Sequence, residues 1–209
     1  MIELVCADSP DVVCLQELPV WGISRLERWS SMQAFTVVAR GPRVPRRIGT
    51  SVTRLNQGFF RSAFVGQANA VLVASSLEAE DCGHTRISDP GRERRVVQVV
   101  RIANRFVVAN LHANHGADIA RLETERARAF VEKLARPDDV VVLAGDFNLS
   151  DIRLPGYSDP MTGVDHVLVR GAPASSSAVW PRERRLSKQV VLSDHAPVEV
   201  TIQTISSAV

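Results

Sequence analysis

The segment Gly145-Asp146-Phe147-Asn148 sets a carboxylate and a carboxamide two positions apart, directly after the apolar run Val140-Val141-Val142-Leu143-Ala144. Five apolar residues in a row, mostly β-branched, predict a strand buried on both faces. Side chains two apart on an extended chain point the same way. Asp146 and Asn148 are therefore expected side by side at the rim of a sheet. Gly, Asp and Asn also favour turns, so a plain strand-to-turn junction competes with this reading. Four further apolar segments carry polar side chains in the same manner. Glu17 follows Val12–Leu15, and His112 closes a strand through Asn110. Asp165 lies in Val164–Val169, and Asp194-His195 follow Val190–Leu192.

The inventory is three aspartates, one glutamate, one asparagine and two histidines. It has no thiolate and no His-x-x-x-His pair, which disfavours zinc. Hard carboxylate and amide oxygens favour Mg²⁺, with Mn²⁺ or Ca²⁺ as substitutes. Mg²⁺ held by a few carboxylates commonly acts on phosphate esters, where it offsets charge on the phosphoryl group. Such chemistry also needs an activated water and a protonated leaving group. A histidine fixed by a carboxylate is a natural base or electrostatic clamp. Asp165 is the candidate partner of His195.

The elements that must position these residues are legible in outline. Residues 1–9 suggest the end of a helix, broken at Pro10. Trp21 to Trp29 has apolar residues at helical spacing, and Ala34 to Ala39 reads as a strand. Residues 40–64 hold two prolines, three glycines and six arginines, which predicts a long loop. That loop is either an exposed surface or an arginine-lined wall beside a phosphate site. Ala68 to Ser75 is another strand, followed by a polar, turn-rich stretch over 76–92. Glu93 to Ile102 and Arg105 to Asn110 form a hairpin around Ala103-Asn104. Asp118 to Arg136 is the clearest helix, with Ile119, Leu122, Phe130 and Leu134 on its apolar face and Pro137 after its end. Residues 171–188 read as loop, and Ala196 to Ile202 as a final strand. No repeat or linker divides the chain, so residues 1–209 are expected to form one domain, monomeric by default.

Composition narrows the class further. Hydrophobic content is 45%, charged content 23% and net charge +2 across 209 residues. These values are ordinary for a globular protein. The charge is too small to argue nucleic-acid binding by itself. Lys133 and Lys188 are the only lysines, and codon bias accounts for the arginine excess better than phosphate binding. Cys6, Cys14 and Cys82 fit no zinc spacing and read as small buried thiols of a reducing compartment. No apolar run reaches the roughly 20 residues of a membrane span, and no signal-peptide pattern is visible, so a cytoplasmic location is expected.

Leu15-Gln16-Glu17, Gly145-Asp146-Phe147-Asn148, Val164-Asp165 and Ser193-Asp194-His195-Ala196-Pro197-Val198, in this order and separation, resemble the endonuclease/exonuclease/phosphatase superfamily, the deoxyribonuclease I-like fold. The resemblance implies an α+β fold, a four-layer α/β/β/α sandwich. It implies metal binding by Glu17 and Asp194, and water orientation and phosphate holding by Asp146 and Asn148. His195 would face the scissile phosphate, oriented by Asp165. Leu111-His112 is similar to the histidine segment of the deoxyribonuclease, sphingomyelinase and inositol-phosphatase branches, where the histidine assists the leaving group. Glu93 would be the carboxylate partner of His112. His166 should pack away from the site, and His84 and His115 should lie on the surface. Family members usually begin with a strand ending in Trp-Asn, which this sequence lacks. A start set too far downstream is the favoured account, and a sandwich lacking its first inner strand is the expected outcome.

Three functions follow as expectations. The first is metal-dependent hydrolysis of a phosphodiester, in nucleic acid or a small molecule. The second is the same chemistry on a phosphomonoester or lipid headgroup. The third is a catalytically impaired binding domain that keeps the fold.

Overall fold

The computed structural model describes residues 1–43, 65–158, 163–187, 190–191 and 193–203. Most of the arginine-rich segment 40–64, and with it the choice between an exposed loop and a phosphate-side wall, lies outside them. The described chain runs α1 (Ile2–Val5), β1 (Val12–Leu18), a 3₁₀ turn (Val20–Arg25), α2 (Leu26–Ser30), β2 (Gln33–Arg40), β3 (Gln67–Val73), β4 (Ala79–Arg86), β5 (Val96–Ile102), β6 (Phe106–His112) and α3 (Ala117–Leu134). It continues through β7 (Val140–Asp146), β8 (Asp165–Arg170), β9 (Ala174–Val179), a 3₁₀ turn (Arg182–Arg185), β10 (Leu186–Ser187), β11 (Val190–Val191) and β12 (Val198–Ile202). Among the described residues no helix is long and apolar enough to cross a membrane.

One sheet has the order β4-β5-β6-β7-β8. Its middle strands are apolar on both faces because both are covered, as runs such as Val140–Ala144 require. Val141 and Leu143 face one way, against Ala120, Ala127 and Val131 of α3. Val140, Val142 and Ala144 face the other, against Val71 and Val73 of β3. β3 alternates in turn, and its Ala70 and Leu72 meet Leu26 and Met32 on the far side, with Ile2, Ile23 and Trp29 beside them. The layers are thus helix, sheet, sheet, helix, the α+β sandwich expected.

The second sheet layer is interrupted. It consists of β1-β3-β2 and, separately, β12-β9. β1 lies against β6 and β7, whereas β12 lies against β8. Val12 and Cys14 of β1 and Val200 and Ile202 of β12 share one core with the five-stranded sheet. Among the described residues no ladder joins β1 to β12, and each pairs on one edge alone. β1 is accordingly only half-buried, while every residue of its partner β3 is buried. Desolvation in that core pushes the Cys14 thiol up to about 12, and all three cysteines are free.

Several sequence expectations need correction. Residues 76–92 contain a full strand, β4, which pairs with β5 at the sheet edge. Its mostly polar residues, none of them buried, hide it from hydrophobic patterning. Residues 171–188 likewise contain β9, paired with β12. The helix expected over Trp21–Trp29 is a 3₁₀ turn followed by α2. The buried face of α3 is Ala120, Glu123, Thr124, Ala127 and Val131, and Leu122 is exposed. The hairpin turn is as expected. Ala103 and Asn104 both have positive φ, and the Arg105 N–H donates to the Ile102 carbonyl.

Gly145 is the backbone feature that delivers the site. Its φ is +138°, and a Cβ there would lie 1.9 Å from the Leu111 carbonyl oxygen of the neighbouring strand. Leu111 pairs with Gly145 in the parallel β6–β7 ladder, so neither can retreat without opening the sheet. Gly145→Ala is expected to lower stability by about 3 kcal/mol, combining backbone strain with displacement of a ladder. Urea unfolding would measure it. A loss under about 0.5 kcal/mol, the size of an ordinary surface change, would show that the strands yield here.

Candidate active site

Strand parity fixes which side chains meet. Val108 and Asn110 of β6 have the same parity as His112. Val142 and Ala144 of β7 share parity with Asp146, and Val167 and Val169 of β8 with Asp165. Val108, Val142, Ala144, Val167 and Val169 all belong to the core between the sheets. His112, Asp146 and Asp165 therefore emerge at the rim of that core. They are also in register: His112 pairs with Asp146, and Asp146 with Asp165. Three neighbouring strands thus contribute one row of polar side chains. His166 has the opposite parity and is buried among the helix-side residues. Its Nε2 bonds the Leu149 carbonyl and its ring packs on Phe147, away from the row, as expected. His84 and His115 are exposed.

Asp146 and Asn148 meet by a route different from the one expected. β7 ends at Asp146, so the extended alternation does not reach Asn148. Asn148 instead adopts a left-handed conformation with φ +50°. Its N–H donates to Asp146 Oδ1 at 2.9 Å, and its Nδ2 donates to the Ala113 carbonyl at 2.8 Å. This is an Asx-type turn, which asparagine tolerates well. The turn leaves Asp146 Oδ2 and Asn148 Oδ1 for other partners. Burial, followed by the charge of Asp165, raises the Asp146 pKa.

His195 comes from the loop before β12. Its Nδ1 lies 2.8 Å from Asp165 Oδ2, the pair expected from the sequence. That hydrogen bond first, and then the charges of Asp165, Asp146 and Asp194, raise His195 from 6.5 to about 9. Asp146, Asp165 and His195 each offer a ligand atom within 4.8 Å of the others, a spacing that could hold a metal ion. Asp194 is exposed and acts on His195 through its charge.

Glu17 stands on the opposite sheet. It sits at a register shift of β1 with φ +55°, an uncommon conformation for a non-glycine residue. Gln67 Nε2 donates to its Oε1 at 2.9 Å, and the same oxygen is 3.9 Å from His112 Nδ1. Its side chain is half-exposed, so it remains accessible to a ligand. The two expected metal residues, Glu17 and Asp194, do not belong to the group of three within 4.8 Å. Nearby, Asn110 joins the sheets. Its Nδ2 donates to the Leu15 and Ala70 carbonyls, and its Oδ1 accepts from Gln16 Nε2 at 2.7 Å.

The expected partner of His112 is replaced. Glu93 is engaged by Arg40 and Arg95, each at 3.3 Å. The residue that meets the ring is Arg95, whose Nη1 lies 2.8 Å from His112 Nδ1. Arg95 is 4% exposed. Asn114 Oδ1 accepts from its Nε at 3.2 Å, and Glu123 of α3 accepts from both nitrogens of Asn114 at 2.7 and 2.8 Å. Arg95, Asn114 and Glu123 do not stand out as site residues in the sequence. In the run Arg92-Glu93-Arg94-Arg95 nothing local distinguishes a buried arginine from its solvated neighbours. The one available signal is that Arg95 immediately precedes the apolar Val96-Val97. Burial, Arg95, His195 and His115, in that order, push His112 down to about 2.

Solved structures share this fold. A functionally unknown conserved protein from Enterococcus faecalis V583 superposes with TM-score 0.69 at 16% identity, over 97% of this chain and 90% of that one. TDP2 from Caenorhabditis elegans gives 0.65 at 16% identity, over 97% and 68%. A mannosyl-6-phosphatase from Bacteroides thetaiotaomicron VPI-5482 gives 0.63 at 14%, over 97% and 89%. No curated protein sequence matches the chain. The family model described as "Endonuclease/Exonuclease/phosphatase family" matches residues 3–195, from before β1 to His195 itself. A match of that extent, on a helix–sheet–sheet–helix sandwich with its polar row at one rim, means that the chain belongs to the endonuclease/exonuclease/phosphatase family.

Proposed function

We propose that this protein is a divalent-metal-dependent phosphoesterase that hydrolyses a phosphodiester. The observation that carries the reading is the His195–Asp165 pair at 2.8 Å, set within 4.8 Å of the buried Asp146 at the open rim between the sheets. A hydrolase of this type needs a proton acceptor for water and a cation facing the phosphate. The two groups meet those needs because their environments drive both pKa values upward. Asp146 becomes a better base, and His195 stays an imidazolium at neutral pH.

In this reading Asp146 Oδ2 takes a proton from the attacking water, and Asn148 Oδ1 helps hold that water in line. Asp165 keeps His195 oriented through Nδ1, so Nε2–H faces the substrate and supplies a proton or a hydrogen bond to the departing oxygen. His112 borders the same space, 3.4 Å from Asp146 Oδ2. The donor set is hard and anionic, which fits Mg²⁺ and accommodates Mn²⁺. Glu17 and Asp194 would hold the ion, and the ion would offset charge on the phosphoryl oxygens.

Hydrolysis of bis-p-nitrophenyl phosphate with Mg²⁺ and with EDTA tests the reading. Turnover that EDTA abolishes is expected. Metal-independent turnover, or none, would overturn it. The alternative of a phosphomonoesterase predicts the reverse preference, with p-nitrophenyl phosphate the faster substrate. The interrupted sheet layer keeps a second reading in play, a binding domain of impaired activity. That reading predicts retention of fold and metal binding with no turnover of either ester.

A further inference from the structure

We propose that Arg95 is a positioning residue that locks His112 as the Nε2–H tautomer, so that His112 serves the site as a fixed hydrogen-bond donor and not as a proton shuttle.

A guanidinium carries five N–H donors and no acceptor. The 2.8 Å contact between Arg95 Nη1 and His112 Nδ1 can therefore run only one way, with Nη1–H donating into the Nδ1 lone pair. A neutral imidazole keeps its single proton on the other nitrogen, which here is Nε2. That nitrogen lies 3.4 Å from Asp146 Oδ2, on the side of the reacting groups. A carboxylate at the same place would impose the opposite tautomer, because it must accept from Nδ1–H. The resemblance to the family implies that arrangement, with Glu93 as the partner. Here Glu93 is turned to Arg40 and Arg95 instead.

Arg95 is held too firmly to give way. Its Nη1 is on His112, its Nε is on Asn114 Oδ1 at 3.2 Å, and its Nη2 is on Glu93. Asn114 is fixed in turn by Glu123, which is 1% exposed on the inner face of α3. The buried carboxylate offsets the buried guanidinium through Asn114, which makes the network self-consistent. A histidine that shuttled protons would need its Nδ1 free or bonded directly to a carboxylate; here Arg95 occupies Nδ1 at 2.8 Å, and the Glu17 carboxylate stays 3.9 Å away. What remains is one N–H aimed along the row, suited to a phosphoryl oxygen once substrate is bound. That last step rests on the phosphoesterase reading, whereas the tautomer does not.

Histidine ¹⁵N NMR of the intact protein without substrate reads the tautomer directly, with His112 assigned by the signals lost in His112→Gln. The expected spectrum has a bare, pyridine-type Nδ1 and a protonated, pyrrole-type Nε2. A protonated Nδ1 in the unaltered protein overturns the proposal outright. In Arg95→Met, if folded, the two tautomers should mix, while Arg95→Lys, which keeps a donor, should restore the Nε2–H form. A pure Nε2–H form in folded Arg95→Met would show that something other than Arg95 sets it. In turnover, His112→Ala should lose on the order of 100-fold, as when one preorganised donor is removed. His112→Gln retains an N–H but no titrating group, and should recover at least about tenfold of that loss. Equal rates for Gln and Ala would overturn the donor role while leaving the wider phosphoesterase reading intact.

Discussion

Changing Asp146 to Asn is expected to leave the fold intact and to remove roughly three orders of magnitude from turnover, the range for loss of a positioned proton-transfer group. The substitution is isosteric. Asn Oδ1 can still accept from the Asn148 N–H, so the Asx turn that now spans 2.9 Å survives. What disappears is the acceptor for the proton of water. Asp146 is 7% exposed and stands in register with Asp165, an arrangement that opposes its negative charge. Removing that charge should leave thermal stability equal or slightly higher. The combination is diagnostic: a lower rate constant with an unchanged or raised melting temperature. An Asn variant within tenfold of the original rate would remove Asp146 from the proton path. A collapse of the melting temperature would instead make it a structural residue.

The second large effect concerns His195. His195→Gln should reduce turnover by about 10²- to 10⁴-fold, the range for a general acid–base group. The pH dependence carries the sharper test. From residue types alone, His195 is expected to titrate in the neutral range. The structure moves the transition upward, because Asp165 is bonded to the ring and Asp146 and Asp194 add negative charge, and the group titrates near 9. The raised value also affects stability. The imidazolium's contribution is fully present below its ordinary value of 6.5 and is lost as pH rises through about 9. Its side chain is 45% exposed, so that contribution is largely screened and the rate is the better observable. As a donor, His195 predicts a rate that falls on the alkaline side of about 9. As a base it predicts a rise through the same pH. Asp165→Asn should bring the transition back toward 6.5, because it removes both the charge-assisted hydrogen bond to the ring and one of the negative charges. A transition that stays put in Asp165→Asn would show that the pair does not set it.

The parts of the fold visible in the amino-acid order are those whose pattern is local. Val140–Ala144 announces a covered strand because only a strand buried on both faces tolerates five apolar residues in succession. Ala103-Asn104 marks its turn because the two-residue connection needs positive φ. β4 and β9 escape notice because a strand can satisfy its backbone by pairing without an apolar run, and β4, with polar residues at most positions and none of its residues buried, leaves no period-two hydrophobic signal. The face of α3 is misjudged for a related reason. Leu122 is exposed at little cost, while Glu123 is buried only because Asn114, nine residues earlier, is carried to it by the end of β6.

The same division runs through the site. Asp146, Asn148, Asp165, Asp194 and His195 can be named from their order because each follows or interrupts an apolar strand, and strand ends collect at one rim. Which of them touch is a matter of register. The parallel β6–β7 pairing sets His112 beside Asp146, and the antiparallel β7–β8 pairing sets Asp165 on its other side. Glu93 and Arg95 are two residues apart and equally plausible on paper as the partner of His112. The choice of Arg95 depends on Asn114 and Glu123, which reach it only after the helix has docked on the sheet. Residue identity along the chain thus settles the kinds of chemistry on offer. Ionisation, tautomer and partner depend on burial and on charges brought from distant segments, and these exist only once the layers have packed.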